Sequence, residues 1–430
     1  MFFNNICNVM KSNSRILIIS HNSFSAVHNN GKTFESIFKG FEKKNLAQLF
    51  FCSNEKPDFD YCENYFQITD KDVLRGFFCF YSKTGRVVKN ESIENSDNNS
   101  KLLTFAKQKS SYIAMFRDIL WMTRAWNTKQ LRQWCNDFAP DAIFYVGGGS
   151  GFSHSIAQYI SKILKKPLIT YFTDDYLIFP EDRNILEIVQ KWRMKRFYKK
   201  TVTQSSLLFT IGELMSKEYT KYFNREFLSI MNSVPITPYV PYESHDKITI
   251  SYFGGIHLNR WKMIVRLAEL INGVEFNVYT IQKPSQEIMH VFHDVGILYK
   301  GGLQGEELRQ AIINSDILLH VESDDDYYKS LTKLSVSTKI PEYLMSGRII
   351  LGFGPSEVAS MRVLSDNNIG VVIPSIATDL EIKTLMNEVI ANYKLRYDVG
   401  IKGYNFAIKN FDNMEVVNKF TLKVESILNN

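Results

Sequence analysis

The chain has 430 residues, more than one hydrophobic core usually serves, so we expect two domains. Hydrophobic residues make up 45% of the sequence and charged residues 22%, a balance that excludes an intrinsically disordered protein. The formal net charge of +6 permits an anionic partner without indicating nucleic acid. The cysteines form no CxxC pair, which favours buried thiols in a reducing compartment.

Neither a leader nor a membrane span is predicted. Residues 1–15 have no sustained apolar core and no small-residue cleavage site, which argues against a signal peptide. No apolar run approaches the 18 or so residues that a spanning helix needs. A cytoplasmic protein is therefore predicted, with any membrane contact peripheral and on the inner face of the cell membrane.

Short runs of β-branched and aromatic residues alternate with segments of helical period, which is the pattern of parallel α/β units. In the first half Ile156, Ile160 and Ile163 share one helical face, so we expect a crossover helix there. The strands predicted in this half are 15–20, 47–53, 65–69, 141–147, 167–172 and 205–211.

A proline-rich segment separates the two halves. Three prolines in 234–243 oppose both a helix and a central strand, so residues 236–243 are interpreted as a linker. The predicted domains are residues 1–235 and 244–405, with residues 406–430 as a helix that packs back toward the first domain. The strands predicted after the linker are 248–255, 275–281, 296–302, 316–322, 348–355 and 369–374.

The segment VSTKIPEYLMSG (336–347) predicts a short helix that leads into a strand. Ser337 or Thr338 can cap its N-terminus, and Gly347 can end it, so the expected helix runs from about Thr338 to Ser346. Free N–H groups and the helix dipole at such an N-terminus favour an anion.

Two charged side chains follow in the first turn of this helix. Lys339 adds a full positive charge to the anion site, and Glu342 can accept two hydrogen bonds from a vicinal diol such as a ribose. Together they suit a nucleoside diphosphate. A capped surface helix with an ordinary glutamate in its first turn is the other interpretation.

The run STKIPEYLMSGRIILGFGP resembles the signature of the retaining group 1 glycosyltransferases, the glycogen-synthase-like family 4, in the branch common in bacterial surface-polysaccharide clusters. This resemblance implies the GT-B fold, with two doubly wound Rossmann-like domains facing across a cleft, and a nucleotide-sugar substrate without a metal cofactor. It also implies that Glu342 binds the ribose hydroxyls. The family's first motif glutamate falls at Ser335, so Glu322 is the candidate substitute as a donor-sugar contact.

A second match is SYFGGIHLNRWK (251–262), which resembles the family's glycine-rich turn after the first strand of the second domain. Arg260 occupies the second basic position of that motif, whereas Gly255 occupies the first. The resemblance implies that Arg260 neutralises the departing diphosphate, with Lys262 or Lys339 compensating for the missing partner. An arginine on a surface turn is the alternative.

Two weaker matches lie in the first domain. Residues 21–38 resemble the family's glycine-containing loop, with Gly31 as the glycine that lets donor phosphate or acceptor approach the backbone. Residues 171–177 resemble a segment in which a His-Asp pair touches the donor sugar, and here Thr173 stands at the His position and Asp174 at the Asp position.

Three other patterns invite different functions. The acidic run 324–326 looks like a metal-binding DxD motif, but an acidic loop is the favoured interpretation. The glycine run 147–151 lacks a complete GxGxxG, so NAD binding is not expected. Segments 113–126 and 191–200 mix basic with aromatic residues, which fits either an interfacial helix on anionic lipid or a basic helix whose aromatics face the core.

The predicted function is transfer of a hexosyl group from a nucleoside-diphosphate-sugar to a saccharide or lipid-linked glycan, in capsule, O-antigen or similar polysaccharide synthesis. A GT-B nucleotide-sugar epimerase and a catalytically silent binding or scaffold subunit are the alternatives. The predicted catalytic residues are Arg260, Lys339 and Glu342. The predicted donor-binding residues are Gly31, Asp174, Gly254, Gly255, Glu322, Ser337 and Thr338.

Overall fold

The computed structural model describes residues 10–24, 29–53, 56–78, 84–90, 111–179 and 184–429. The chain forms two compact units. The first comprises Met1–Ile178, Asp182–Ile230 and Val416–Asn430, and the second comprises Phe179–Glu181 and Met231–Glu415. The proline-rich segment therefore belongs to the second unit.

The first unit is built on an eight-stranded sheet. Its strands are β1 (Ile16–Ser20), β2 (Leu46–Phe50), β3 (Asn64–Gln67), β4 (Arg86–Val88), β5 (Ala142–Gly147), β6 (Leu168–Phe172), β7 (Ser205–Thr210) and β8 (Leu228–Ser229). The order is β4-β3-β2-β1-β5-β6-β7-β8, and only β3 and β4 pair antiparallel. All six strands predicted in this half are present, and β4 and β8 are additional short edge strands.

Helices cover this sheet and bury its apolar residues. They are α1 (Asn29–Phe38), α2 (Asp70–Phe78), α3 (Ser111–Met122), α4 (Lys129–Phe138), α5 (Gly151–Leu164), α6 (Ile185–Gln204) and α7 (Glu213–Phe223). The predicted crossover helix is α5, in which Ile156 and Ile160 are buried in the core and Ile163 is 39% exposed. Cys62 and Cys135 are buried free thiols.

The second unit has a six-stranded, wholly parallel sheet, and each strand lies where the sequence predicts one. The strands are β9 (Thr249–Phe253), β10 (Glu275–Tyr279), β11 (Ile297–Gly301), β12 (Ile317–Val321), β13 (Ile349–Gly354) and β14 (Val371–Pro374). Their order is β11-β10-β9-β12-β13-β14. The chain goes from β9 to β10 on one side and returns to β12 on the other, so the strand order reverses between β9 and β12.

Nine helices follow β9 in the described part of the chain. They are α8 (Arg260–Leu270), α9 (Gln286–Asp294), α10 (Gly305–Ile313), α11 (Asp326–Thr332), α12 (Lys339–Met345), α13 (Ala359–Asp366), α14 (Asp379–Ala391), α15 (Tyr393–Asn410) and α16 (Asn413–Leu428). The end of α16 belongs to the first unit, where the Phe420 ring packs edge-on against Phe38 and Phe144 at centroid distances of 5.3 and 5.7 Å. Within the described residues, no helix is both long and apolar enough to cross a bilayer.

Buried polar side chains fix the proline-rich segment to the second unit. Arg348 donates hydrogen bonds to the carbonyls of Val240 and Pro241 at 3.0 and 3.3 Å. Asp316, which is fully buried, accepts from the Tyr242 hydroxyl at 2.8 Å. Because buried polar groups are costly when unpaired, these contacts specify one path for the segment.

Candidate functional site

The carboxyl ends of β9 and β12 lie side by side where the strand order reverses. Open α/β sheets bind ligands at such a point. Gly254 and Gly255 follow β9 and lead into α8, which begins with Arg260, while Glu322 directly follows β12. The structure therefore brings the glycine turn, Arg260 and Glu322 to one edge of the second sheet.

The turn after β9 is tightly packed. The Tyr252 hydroxyl donates to the Gly255 carbonyl at 2.7 Å. A Cβ at Gly255 would lie 2.5 Å from two atoms of the His257 ring, so a larger side chain requires that ring to move. Leu258 and Asn259 then adopt left-handed backbone angles, with φ of 58° and 60°, and turn the chain into α8. In the observed conformation, the His257 ring occupies the space beside Gly255 that a side chain at this position would enter.

Arg260 and Glu322 form a buried ion pair. Nη2 of Arg260 lies 3.0 Å from Oε2 of Glu322, and the two side chains are 18% and 3% exposed. Burial alone would raise the pKa of Glu322, but the Arg260 charge and the neighbouring His320 outweigh it and lower that pKa to about 2. Glu322 is therefore an ionised counter-ion of Arg260 in this structure.

His320 lies behind this ion pair on β12. Its Nε2 is 3.3 Å from Oε1 of Glu322, although the two atoms are not aligned for a hydrogen bond. Both carboxylate oxygens of Glu322 thus face protein nitrogens. The carboxylate predicted to contact a donor sugar is committed to Arg260 and His320 in this arrangement.

Helix α12 forms as predicted, one residue shorter at each end. The Lys339 amide donates to Ser337 Oγ at 3.3 Å, whereas Thr338 makes no side-chain capping bond. Ser337 therefore supplies the capping oxygen that the sequence left open between the two. Gly347 follows the helix with φ of 70°, the left-handed conformation expected of a C-terminal glycine.

Tyr343 fixes α12 to the end of β9. Its buried hydroxyl accepts a hydrogen bond from the Phe253 amide at 3.0 Å and lies 3.1 Å from the Phe253 carbonyl, to which it donates. Glu342 is next to this anchor, and its Oε2 lies 3.4 Å from Nζ of Lys339. The side chains of Lys339 and Glu342 are 23% and 28% exposed, so both remain accessible to a ligand.

The first unit holds three of the residues that the sequence analysis singled out, namely Gly31, Thr173 and Asp174. Gly31 lies in the first turn of α1, not in the loop that the sequence predicted. Thr173 and Asp174 follow β6, and Thr173 Oγ1 donates to Asp174 Oδ2 at 3.2 Å. The adjacent Asp175 is buried and accepts from the Tyr219 hydroxyl at 2.9 Å, which is a structural role.

The acidic run 324–326 and the glycine run 147–151 have local structural roles. Asp325 caps α11 by accepting from the Tyr328 amide at 3.2 Å. Burial raises the pKa of the Asp118 carboxyl, and the first amides of α5, at Gly151 and Phe152, oppose that rise. Among the residues that the structure describes, no cluster of three or more His, Cys, Asp or Glu side chains could hold a metal ion.

Sequence reasoning missed two residues of this site. His320 alternates with Glu322 along β12, and that polar pair at the end of an apolar strand was the available signal. Tyr343 lies within the quoted motif, but only the fold shows that its hydroxyl reaches a strand 90 positions earlier.

Comparison with known proteins places the fold. No protein-family model matches the chain, and no curated protein sequence matches it. HepE of Anabaena, solved with UDP, is 12% identical over 96% of this chain and 100% of its own, with a TM-score of 0.64. TarM is 12% identical over 95% and 98%, with a TM-score of 0.58. WaaG, a glycosyltransferase involved in lipopolysaccharide biosynthesis, is 11% identical over 96% and 99%, with a TM-score of 0.56. At these identities the likeness concerns the fold, and it confirms the predicted GT-B fold.

Proposed function

We propose that this chain is a retaining glycosyltransferase that moves a sugar from a nucleoside-diphosphate-sugar to a saccharide acceptor in surface-polysaccharide synthesis. The observation that carries the proposal is that Arg260 begins the helix after β9, at the reversal point of the second sheet, while Tyr343 ties α12, with Lys339 and Glu342, to the last residue of the same strand. Structures of HepE with UDP and with UDP-glucose support a nucleotide-sugar as the donor.

The proposed roles follow from charge and geometry. Glu342, a half-buried carboxylate beside the Tyr343 anchor, accepts hydrogen bonds from the two ribose hydroxyls. Lys339 and Arg260 donate to the diphosphate, and charge-assisted bonds of this kind contribute roughly 1.5–3 kcal/mol each. Arg260 uses one guanidinium nitrogen for Glu322, which leaves other donors of its planar group for a phosphate oxygen. These donors stabilise the charge that develops on the leaving diphosphate.

No carboxylate is assigned as a nucleophile or general base. Glu322 is the acidic side chain paired with Arg260, but its lowered pKa of about 2 makes it a weak base, and its oxygens face Arg260 and His320. The proposed mechanism therefore depends on binding and on stabilisation of the leaving group. The proposed acceptor is a saccharide or lipid-linked glycan at the cytoplasmic face of the membrane.

A catalytically silent homologue is the second candidate, because two observations weaken the diphosphate site. His257 packs over Gly255, where the motif has a basic residue, and Arg260 is neutralised by a buried carboxylate. Such a subunit would bind nucleotide weakly, and activity would then need a partner enzyme.

Calorimetric titration with UDP, GDP, CMP and ADP tests the proposal. We expect one of these nucleotides to bind selectively with micromolar affinity, and Glu342→Ala to weaken that binding roughly 10-fold or more. Glu388→Ala, at an exposed carboxylate on α14, is the matched control and should leave affinity unchanged. Transfer to saccharide acceptors is then assayed with the sugar derivative of the nucleotide that binds.

Each outcome separates the candidates. Absence of binding to every nucleotide would favour the silent homologue. Equal affinity in wild type and Glu342→Ala would contradict the ribose assignment. Sugar isomerisation without transfer would identify an epimerase.

A further inference from the structure

Helix α6 exposes a row of apolar side chains along its first two turns. The opposite face of the helix packs into the core, and its Met194 and Tyr198 are 3% and 0% exposed. At 100° per residue the exposed apolar residues fall within an arc of about 100°. They are Ile185, Ile188, Val189 and Trp192, at 79%, 54%, 44% and 54% exposure.

The same face of α6 becomes basic in its later turns. Glu187 is the one acidic residue in the sequence of this helix, against six basic residues. The Arg196 guanidinium lies 3.6 Å from the centroid of the Trp192 ring, so a positive charge stands directly on the apolar row. The exposed basic residues are Lys195, Arg196, Lys199 and Lys200.

Helix α3, which contacts α6, exposes further apolar side chains. Its Phe116, Ile119 and Met122 are 65%, 50% and 57% exposed. Arg193 of α6 joins the two helices, with Nη2 lying 3.6 Å from the Met122 sulfur and 4.0 Å from the Asp118 carboxylate. We call the exposed apolar residues of both helices, with the four basic residues of α6, the α3–α6 surface.

We propose that the α3–α6 surface binds an anionic lipid bilayer peripherally. The apolar side chains would enter the boundary between headgroups and acyl chains, and the basic side chains would contact lipid phosphates. Trp192, next to Arg196, has the amphipathic ring that favours the membrane interface. The proposal rests on the first unit alone and does not depend on nucleotide binding by the second.

Charge and chemistry favour a bilayer over other occupants. A second copy of this chain would present the same cations and repel them, unless its contact covered the apolar row alone. Single-stranded nucleic acid would use the cations, but it also needs free aromatic faces for stacking, and the Arg196 guanidinium already lies over the Trp192 ring. A bilayer with anionic headgroups satisfies both halves of the surface at once.

Co-flotation of the full chain with phosphatidylcholine vesicles, with and without phosphatidylglycerol, tests the proposal. Binding should require the anionic lipid and weaken with salt. Lys199→Gln/Lys200→Gln should lower the partition coefficient roughly 30-fold, because each basic residue near such a surface contributes about fivefold. Ile188→Glu should lower the partition coefficient about tenfold or more, because the variant loses the apolar side chain that enters the bilayer and places a carboxylate there.

Matched variants on the second unit are the controls. Leu380→Glu changes an apolar residue that is 75% exposed, and Lys383→Gln/Lys394→Gln removes two exposed charges. Both should bind vesicles as the wild type does. Because every substituted residue is exposed, folding should persist, and circular dichroism checks it.

Three results would overturn the proposal. They are equal binding to neutral and anionic vesicles, unchanged binding by both α6 variants, and absence of vesicle binding by the wild type. If sedimentation showed self-association that Ile188→Glu abolished, the surface would be assigned to a second copy of the chain instead.

Discussion

The buried ion pair between Arg260 and Glu322 gives the sharpest prediction, because it separates stability from ligand binding. Arg260→Ala removes the cation and leaves the Glu322 carboxylate, 3% exposed, without its main partner. Breaking a buried pair in this way costs roughly 3–5 kcal/mol, since an uncompensated charge stays in a poorly solvated site. Loss of activity in that variant would therefore not identify Arg260 as a catalytic residue.

Arg260→Ala/Glu322→Gln removes both charges. We expect the double variant to recover most of the lost stability, to within about 1–2 kcal/mol of wild type, because an amide is far cheaper to bury than a carboxylate. In a unit of this size the single substitution should lower the melting temperature by about 10 °C. The effects of substitutions at independent sites add to within about 0.5 kcal/mol. The coupling free energy between positions 260 and 322 should be larger than that.

Differential scanning calorimetry of the full chain measures these shifts, with nucleotide titration of the same variants in parallel. Equal melting temperatures for wild type and Arg260→Ala would refute the buried-pair reasoning. A double variant as unstable as the single one would do the same. Nucleotide binding retained in the stable double variant would remove Arg260 from the proposed diphosphate site.

Three further predictions concern the same unit. Tyr343→Phe should cost roughly 1–3 kcal/mol in urea unfolding, because the β9 amide and carbonyl lose a buried partner. Gly347→Ala should lower the unfolding free energy more than Gly273→Ala does. Both glycines have positive φ, but only at Gly347 would the added Cβ meet a tyrosine ring, at 2.5 Å. The pKa of Glu322 is lowered from 4.5 to about 2, so its stabilisation is complete above pH 4.5 and lost as the pH falls toward 2. Unfolding free energy should therefore fall more steeply over that window in wild type than in Glu322→Gln.

The sheets could be predicted from the sequence because their strands are buried. A strand covered on both faces reads as an apolar run, and most of the predicted strands are of this kind. The predicted strand β11 is an exception, because its residues alternate between exposed and at least partly buried positions. The two strands that were missed lack that signal. The residues of β4 are exposed or half-buried and pair antiparallel at the sheet edge, and β8 has two residues.

Local signals also fixed α12 to within one residue, because a capping serine and a terminal glycine act on the backbone beside them. The partner of Arg260 had no such signal. Glu322 is 62 positions away and meets Arg260 only because β9 and β12 are neighbours in the sheet. The orientation of α6 could be predicted only in part. Spacing puts Trp192 and Tyr198 on different faces, but only packing shows that Tyr198 is the buried one.

The charge balance of the candidate site bears on how a diphosphate would bind there. Arg260 is paired with Glu322, and Lys339 lies 3.4 Å from Glu342, so these four side chains sum to zero net charge. A diphosphate would gain directed hydrogen bonds from the two cations, but little net Coulomb attraction at long range. We therefore expect the affinity for the bound nucleotide to depend weakly on salt. A steep loss of affinity with salt in the calorimetric titration would contradict this charge balance and would show that further cations contact the ligand.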